Sequence, residues 1–326
     1  MTKTTSLLVA GMTVGCSTDG LESEWELTLE QMEGRALVVA DSLPPRDAVG
    51  VGREMAPYVL FSRPLGPTES TTLELVDPQA EVVVTAPRRD PDELGVAFDP
   101  GLLASSTAYS GDMQLLGAPS TRFDYSTTPP TGPAFNMSTG LEVEAFGAGG
   151  NLALVNELFQ PGVFPLWVLH VDGLGSPPSA AAPATLRIAP GRVDDASPIY
   201  VLHAEWGFVS VFDEVVVTEG SFAVDKPTLF LPLWSSDAVH LLHMTDVALT
   251  GALAVDGETV SVSQITLTGV LGTRSLIDLA RASEGWRLAI GNTRPDVDTN
   301  GNGTPDAVTF TFSTTPSAID VAEIDY

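Results

Sequence analysis

Apolar residues in this chain occur in short runs that are separated by proline, glycine and aspartate. Six such runs lie between positions 34 and 118, and their starting points are 9 to 21 residues apart. They occupy positions 37–39, 58–61, 73–76, 82–85, 94–98 and 108–116. Short strands at this spacing, bounded by turn-forming residues, are typical of a β-sandwich. The pattern therefore predicts a sandwich domain over residues 34–118.

Strand-like runs resume after the segment 126–134, whose proline, threonine and glycine suit a linker or a long loop. Eight more strands are predicted before the last third of this region, at positions 152–158, 164–171, 184–188, 200–204, 208–212, 215–217, 228–233 and 239–244. Segment 175–184 is rich in alanine, serine and proline, which suits a surface loop. Residues 119–326 are therefore predicted to form a larger antiparallel β-rich domain.

The segment 247–271 predicts a long β-hairpin. Asp256-Gly257 favours a two-residue turn, because both central positions of such a turn need a positive φ. A simple register from this turn would place Leu249 opposite the polar Gln264. One extra residue near Ser263-Gln264 would instead place Leu249 opposite Ile265, so we predict a β-bulge there.

Residues 273–285 interrupt the strand pattern with a helical one. Ser275 suits the N-cap of a helix, and Gly285 suits the left-handed position that ends one. Leu276, Leu279 and Ala280 would share one apolar face. The predicted fold class is therefore all-β, a β-sandwich followed by a larger antiparallel β-rich domain with one short helix.

The first sixteen residues have the order of a secretory signal. Lys3 supplies a positive charge, positions 7–14 are apolar, and small residues precede Cys16, the only cysteine in the chain. The segment Thr13-Val14-Gly15-Cys16 resembles the lipobox of bacterial lipoproteins, with threonine where leucine is usual. This resemblance implies that residues 1–15 are a signal peptide and that Cys16 becomes an acylated N-terminus.

Acylation would also account for the single thiol, since the sulfur is consumed in a thioether and no reactive cysteine is exported. In the lipoprotein family an aspartate after the cysteine retains the protein at the inner membrane, so Ser17 implies an outer-membrane lipoprotein that faces the periplasm or the cell surface. The alternative is an apolar start that leads to a buried cysteine. Residues 16–33 are predicted to be an acidic tether that runs into a first strand, which could include Trp25, Leu27 and Leu29.

Three motifs inside the predicted sandwich carry a resemblance to a known family. They are a strand that enters LPPRDAVGVG at positions 43–52, Phe61-Ser62-Arg63-Pro64 at a strand end, and FDPGLLASSTAY at positions 98–109. In this order they resemble bacterial Ig-like domains of the S-layer-associated type. The resemblance implies an Ig-like β-sandwich over residues 34–118 that acts as a spacer or an adhesive module. Tyr109 is predicted to bury its ring and to direct its hydroxyl to loop backbone.

The chain carries 42 acidic and 15 basic side chains, a formal net charge of −27. Such a surface repels nucleic acid and anionic membrane faces, so nucleic acid is not expected as a partner and the membrane is expected to be reached only through the lipid anchor. The acidity serves either solubility or the collection of divalent cations. A single cysteine excludes internal disulfides, and no C-x-x-C pair is present for zinc.

The segment DVDTNGNGTPD, positions 296–306, has the spacing of a calcium-binding loop. Alternate oxygen-bearing side chains around a glycine suit a hard cation. The predicted ligands are Asp296, Asp298, Asn300, Asn302, Thr304 through its carbonyl, and Asp306. The loop resembles those of thrombospondin type 3 and dockerin-like repeats, but Thr309 stands where glutamate closes helix-loop-helix sites. These features favour a weak structural Ca²⁺ site, and the alternative is a turn held by Asn and Asp side chains alone.

Signatures of common hydrolases, zinc peptidases and nucleotide-binding enzymes are absent from the sequence. His240 and His243 would face opposite sides of a strand, which argues against a zinc pair. Four tryptophans could stack on sugar rings or fill a core: Trp167, Trp206, Trp234 and Trp286. We therefore expect a non-catalytic, lipid-anchored extracytoplasmic protein that serves binding, adhesion or envelope structure, with a protein or a glycan as ligand. The alternative is a glycan-active or other hydrolase with an unrecognised carboxylate pair.

Overall fold

The computed structural model describes residues 19–32, 34–115, 121–137, 142–145, 166–175, 179, 182–193, 200–202, 207, 209–235, 238–282, 284–291 and 293–319. Within these ranges the chain is mostly antiparallel sheet with few helices, so the predicted all-β class is confirmed. Cys16 with its lipobox and the strand predicted at 152–158 lie outside the described residues. No helix in the described ranges has both the length and the apolar character needed to cross a membrane.

The N-terminal strands form two four-stranded sheets. The first has the order β1-β2-β6-β5, with β1 at Val39–Leu43, β2 at Tyr58–Phe61, β5 at Ala86–Arg89 and β6 at Gly95–Asp99. The second has the order β4-β3-β7-β8, with β3 at Thr71–Val76, β4 at Val82–Val84, β7 at Ala108–Leu115 and β8 at Thr121–Ser126. The two sheets share one apolar core, so they form a β-sandwich.

Two of these strands were not predicted. β5 follows β4 after a single residue, so the sequence pattern merges them, and β8 lies beyond the predicted boundary at residue 118. Because β8 pairs with β7 from Ala108 to Met113, the sandwich extends to Ser126. The prediction for Tyr109 is confirmed, since its ring is 4% exposed and its hydroxyl accepts a hydrogen bond from the Ala104 N–H at 2.8 Å.

The C-terminal strands form two larger sheets. The five-stranded sheet has the order β10-β18-β17-β16-β15, with β10 at Glu142–Ala145, β15 at Ser221–Ser235, β16 at Ala238–Asp256, β17 at Thr259–Leu271 and β18 at Val308–Thr314. The other sheet contains β9 at Ala134–Asn136, β11 at Leu166–Asp172, β12 at Ala184–Val193, β13 at Tyr200–Leu202, β14 at Ser210–Val215 and β19 at Ser317–Ile319. Its order is β13-β12-β11-β9-β19, and β14 also pairs with β12.

The hairpin of β16 and β17 confirms the predicted bulge and corrects the predicted turn. Asp256 pairs with Thr259, so the two turn residues lie one position later than expected. Gly257 has φ 62°, which suits the first central position of a type II′ turn. The register shifts between Ala252, opposite Gln264, and Leu253, opposite Val262, which leaves Ser263 as the extra residue. Leu249 therefore pairs with Leu267 rather than with Ile265.

The described part of the chain contains three helices rather than one. α1 spans Asp19–Met32, where a tether and a strand were predicted. The predicted helix divides into α2 at Thr273–Ala282 and α3 at Glu284–Gly291, so Gly285 lies inside a helix and does not end one. Ser275 is not a cap, because it lies within α2 and its hydroxyl donates to the His243 carbonyl at 3.2 Å.

The apolar core of the sandwich continues into the C-terminal body. Val211 on β14 and Phe230 on β15 belong to the buried cluster of the sandwich, and Trp25 and Leu29 of α1 pack against it. Tyr58 on β2 meets Phe230 edge to face, with ring centroids 5.8 Å apart. Contacts of this kind between aromatic rings stabilise beyond the area they bury. The sandwich and the body are thus held together by side chains that also border a cleft at their junction.

Candidate functional site

A cleft of about 930 Å³ lies where the sandwich, the β15–β16 hairpin and helices α1 and α2 meet. Its walls carry aromatic rings, carboxylates, guanidinium groups and imidazoles. They include Trp25, Glu54, Tyr58, Arg88, Asp90, Asp92, Asp99, Phe230, His240, His243, Arg274, Asp278 and Arg281. Clefts of this volume between domains are common ligand sites in proteins.

Arg274 of α2 is the centre of the polar network in this cleft. Its Nη2 donates to Asp90 Oδ2 at 2.6 Å and to the Tyr58 hydroxyl at 3.0 Å, and its Nε lies 3.0 Å from Asp92 Oδ2. The Tyr58 hydroxyl in turn donates to Asp90 Oδ2 at 2.6 Å. We call Arg274, Tyr58, Asp90, Asp92 and Asp278 the Arg274 cluster. It joins the sandwich to α2 through charge-assisted hydrogen bonds, which are the stronger kind.

The electrostatics of the cluster follow from burial and charge. Burial alone would lower the pKa of Arg274, but its interactions with Tyr58, Asp92 and Asp90 outweigh this effect and hold the pKa above its usual value. Burial raises the pKa of the Tyr58 hydroxyl, which therefore stays protonated as a donor. Burial also raises the pKa of Asp92, although Arg274 opposes this change. The cluster thus holds one permanent cation among carboxylates.

Asp278 is the carboxylate of the cluster that is most open to the cleft. Its side chain is 48% exposed, and its Oδ2 lies 3.9 Å from Arg274 Nε, beyond hydrogen-bond distance. Its pKa is raised to about 6, mainly by desolvation; Arg274 opposes this rise and Asp92 adds to it. A carboxyl group with such a pKa changes its charge near neutral pH, as groups in binding and catalytic sites often do.

Gly95 at the start of β6 is required by this arrangement. A Cβ atom at this position would lie 2.0 Å from the Tyr58 hydroxyl oxygen and 2.3 Å from Asp90 Oδ2. No side chain can therefore be added without separating the tyrosine from the aspartate. The sequence gives no sign of this role, because the glycine lies 37 positions from Tyr58 along the chain.

A second polar contact crosses the same junction. His243 Nε2 on β16 lies 3.1 Å from Asp41 Oδ2 on β1, and the His243 ring packs against Phe230 with centroids 4.9 Å apart. His240, also on β16, lines the cleft, and burial lowers its pKa. Both histidines therefore border the cleft, although a regular strand would direct them to opposite faces.

The loop at 296–306 folds as a compact turn. Asp298 accepts hydrogen bonds from the Gly301 N–H and the Gly303 N–H, each at 2.7 Å. Both glycines have positive φ, 74° and 88°. Asp306, which is 2% exposed, accepts from the Thr299 N–H at 2.7 Å and from the Thr299 hydroxyl at 2.8 Å. The structure therefore brings the two carboxylates onto one turn.

Of the other predicted ligands, the Asn300 and Asn302 side chains make hydrogen bonds within this turn, whereas the Asp296 side chain does not. The Asn300 and Asn302 side-chain oxygens accept from the N–H groups of Asn302 and Thr304, at 3.0 and 2.7 Å. Asp296 lies apart from them, because its Oδ1 accepts from the Thr309 N–H at 2.9 Å, where β18 begins. Thr304 is exposed.

Helix α1 contacts this loop, which the sequence did not predict. Glu24 Oε1 accepts hydrogen bonds from Asn300 Nδ2 at 3.0 Å and from Asn302 Nδ2 at 2.6 Å. Asn300 Nδ2 also lies 3.1 Å from Thr28 Oγ1 and 3.1 Å from Asp306 Oδ2. Three oxygen atoms thus converge on one amide group. An all-oxygen set that includes two carboxylates fits the chemistry of Ca²⁺.

The described residues contain no group of three or more His, Cys, Asp or Glu side chains arranged to hold a metal ion. The oxygen set of the loop contains asparagine and threonine in addition to carboxylates. An ion at this loop would therefore depend on neutral oxygen ligands as well as on charged ones.

The tryptophans divide between core and cleft. Trp167 and Trp286 are 3% and 2% exposed and belong to the core of the C-terminal body. The side chains of Trp206 and Trp234 lie outside the described residues. Trp25, which the sequence assigned to a strand, lines the cleft from α1 instead. Among the described tryptophan side chains, the one that lines the cleft is therefore one that the sequence analysis did not consider for stacking on a ligand.

No protein-family model and no curated protein matches the chain. Among solved structures, the crystal structure of CopC from Methylosinus trichosporium OB3b is similar over 29% of this chain and 95% of its own, with 13% identity and a TM-score of 0.26. An L,D-transpeptidase from Mycobacterium smegmatis is similar over 66% of this chain and 76% of its own, with 14% identity and a TM-score of 0.20. Scores this low carry no argument about fold or function.

Proposed function

We propose that this protein is a non-catalytic binding protein, anchored through an acylated Cys16 at the outer membrane and facing the periplasm or the cell surface. Its binding site is the cleft between the sandwich and the C-terminal body, and its ligand is a glycan or a protein segment. The observation that carries the proposal is the cleft itself, about 930 Å³ in volume and walled by Trp25, Tyr58 and Phe230 beside a fixed polar network. Concave sites with aromatic walls and a few positioned polar groups are typical of ligand recognition.

The binding site is tested by screening the purified chain against immobilised envelope glycans and proteins. Trp25→Ala is expected to abolish the retained signal, since its indole lines the cleft. Leu27→Ala is the matched control, because Leu27 lies on the same helix and is 44% exposed. Equal signals from the two variants would contradict the proposed site.

The anchor is tested by metabolic labelling with a fatty-acid analogue. The wild-type chain is expected to incorporate the label and to fractionate with outer membranes, whereas Cys16→Ala is expected to do neither. Equal labelling of both chains would contradict the anchor. It would have no bearing on the cleft as a binding site.

We also propose that the loop at 296–306 holds a structural Ca²⁺ ion. Support comes from the oxygen atoms of Glu24, Thr28 and Asp306 that converge on the Asn300 amide, a position that attracts positive charge. Asp298, Asn302 and the Thr304 carbonyl would complete the ligands. Bound Ca²⁺ would supply the positive charge that these carboxylates lack and would fix α1 against the loop.

Thermal unfolding in Ca²⁺ and in chelator tests this site. A ligand at a hundredfold excess over its Kd stabilises the folded state by about 2.7 kcal/mol, so the midpoint is expected to rise in Ca²⁺. Glu24→Gln is expected to reduce the rise, whereas Glu26→Gln, on an exposed position of the same helix, is expected to preserve it. Identical midpoints for the wild-type chain in both buffers would rule the site out.

A second candidate function is glycan hydrolysis in the same cleft. The observation that favours it is Asp278, whose pKa of about 6 suits a proton donor, beside Asp92 and Trp25. The binding role is the better supported one, because Arg274 holds both Asp90 and Asp92 by short contacts and leaves neither free to move a proton. Release of reducing sugar by the wild-type chain, lost in Asp278→Asn, would reverse this preference.

A further inference from the structure

The lining of the cleft has an excess of negative charge. Its walls contain five carboxylates, Glu54, Asp90, Asp92, Asp99 and Asp278, and three guanidinium groups, Arg88, Arg274 and Arg281. Arg274 is shared by the carboxylates of its own cluster, and Arg281 lies 3.6 Å from Glu22 on α1. These two arginines are thus already engaged with the protein's own acids, and an anionic ligand would meet net repulsion.

Asp278 is one of the carboxylates in this lining that can meet a ligand. Its carboxylate is half exposed to the cleft, and its distance of 3.9 Å from Arg274 leaves its oxygens able to accept hydrogen bonds. Asp90 and Asp92, in contrast, already accept short hydrogen bonds or ion-pair contacts from Arg274. A positive group that enters the cleft can therefore pair with Asp278.

The aromatic wall favours the same kind of ligand. Trp25 lines the cleft together with Asp278, and Tyr58 and Phe230, which are 9% and 5% exposed, lie behind it in the same wall. The faces of aromatic rings attract cations, and tryptophan does so most strongly. Apolar spacers between charged groups would pack on the same rings, as the stems of long basic side chains do. Carboxylate and aromatic groups together select alkyl-ammonium groups over neutral or anionic ones.

We infer, on the basis of the binding role of the cleft, that the cleft recognises a ligand with protonated alkyl-amine groups joined by apolar spacers. One amine binds at the Asp278 carboxylate and the spacer lies against the aromatic wall. Free polyamines and lysine side chains of a basic peptide share this chemistry. Direct comparison of the two sources separates them, and their neutral derivatives serve as controls.

Isothermal titration calorimetry at pH 8 and low ionic strength measures binding of four probes: spermidine, amidated trilysine, and the fully N-acetylated form of each. The amines are expected to bind at least about tenfold more tightly than their acetylated forms, since acetylation removes the charge. The tighter of the two amines identifies the source. Asp278→Asn is expected to weaken amine binding about tenfold and to leave binding of the acetylated forms unchanged.

Two variants control for charge elsewhere on this acidic protein. Asp256→Asn makes the same chemical change at an exposed position of the hairpin, and Asp225→Asn makes it at an exposed position of β15. Neither is expected to change amine affinity by more than about twofold. Loss of binding in either of these variants but not in Asp278→Asn would assign the amines to another part of the acidic surface and overturn the inference.

The pH dependence gives an independent readout. Because the pKa of Asp278 is about 6, amine affinity is expected to fall as the pH drops from 8 to 5, and the Asp278→Asn variant is expected to lack this fall. The lysine side-chain amines of the peptide stay protonated over this range, whereas its α-amine loses charge as the pH approaches 8. The groups that face Asp278 are Arg274 and Arg281 on its own helix and Asp90 and Asp92 from the sandwich.

The remaining outcomes separate this inference from the proposed function. If the amines and their acetylated forms bind with equal affinity, the inferred preference for charge is overturned. If Trp25→Ala then abolishes binding of both forms, the result still supports the cleft as the binding site. No binding of any probe at millimolar concentration would overturn the inference alone, since the screen of envelope ligands tests the cleft separately.

Discussion

The Arg274 cluster and the loop at 296–306 are both rich in carboxylates, but they neutralise them differently. In the cluster a guanidinium group of the chain lies 2.6 Å from Asp90 and 3.0 Å from Asp92. In the loop, Asp298 and Asp306 accept hydrogen bonds from neutral N–H and O–H groups. Asp90 and Asp92 are therefore paired without any added cation, whereas Asp298 and Asp306 of the loop retain their negative charge. An acidic sequence alone does not distinguish these two situations.

The largest expected effect comes from removing the cation of the cluster. Arg274→Gln would leave Asp90 and Asp92 partly buried without their partner, and loss of one member of such a pair destabilises by about 3 kcal/mol. Urea denaturation at pH 7 measures this change. Arg122→Gln is the control, because the Arg122 side chain is 53% exposed and also pairs with an aspartate, Asp124. No measurable change is expected there, and similar losses in both variants would contradict the role given to burial.

The loop is expected to respond next. Asp306→Ala removes the acceptor for the Thr299 N–H and hydroxyl and for Asn300, and the loss is expected to be about 2 kcal/mol in chelator. The same urea titration, repeated in Ca²⁺, compares the two regions directly. Ca²⁺ is expected to increase the difference in the free energy of unfolding between Asp306→Ala and the wild-type chain. It is expected to leave the corresponding difference for Arg274→Gln unchanged. An equal response of both variants to Ca²⁺ would remove the distinction between cluster and loop.

Asp278→Asn is expected to stabilise the protein at neutral pH. The folded-state pKa of Asp278, about 6, lies above its ordinary value of 3.8, so the folded state binds this proton more tightly than the unfolded state does. Wild-type stability therefore falls relative to the variant as the pH rises from about 4 to 6, and stays lower above that range. Because the side chain is 48% exposed, screening limits the gain to about 1 kcal/mol at pH 8.

Thermal unfolding of both chains at several pH values checks this prediction. The two midpoints are expected to converge below pH 4, where Asp278 is protonated in both states. A difference between the two midpoints that stays constant from pH 4 to pH 8 would show that folding does not raise the pKa of Asp278.

The smallest effect concerns uncharged groups in the sandwich. Tyr109→Phe removes the acceptor for the Ala104 N–H and is expected to lose about 0.5–1 kcal/mol. Tyr125 packs beside Tyr109 with ring centroids 6.0 Å apart, and its buried hydroxyl has no hydrogen-bond partner among the described residues. Tyr125→Phe is therefore expected to be neutral or stabilising in the same urea measurement. A larger loss for Tyr125→Phe than for Tyr109→Phe would contradict this assignment.

Local patterns predicted most of the strands, but not helix α1. Trp25, Leu27 and Leu29 alternate with polar residues, which suggests a strand. The same segment has Leu21, Trp25 and Leu29 at helical spacing, and Leu27 is 44% exposed in the helix that forms. Because α1 packs against α2, tertiary contacts decide between two periodicities that the sequence leaves nearly equal.

The two sites differ in how far sequence could predict them. The loop was found because its ligand types recur at alternate positions within eleven residues, from Asp296 to Asp306. The Arg274 cluster has no local pattern, since Asp90 and Arg274 are 184 positions apart. Glu24 is 276 positions from Asn300, so the contact of the loop with α1 was equally hidden. Chemistry that depends on sheet packing is visible only after the chain has folded.

Glu24 and Trp25 are neighbours on α1, yet one contacts the loop and the other lines the cleft. Because α1 contacts both places, binding at one would be thermodynamically linked to binding at the other if either event moved the helix. If an ion at the loop repositions α1, the affinity of the cleft changes by some factor, and cleft occupancy must change ion affinity by the same factor. Helix α1, which follows the proposed anchor, would then couple ion binding at the loop to ligand binding in the cleft.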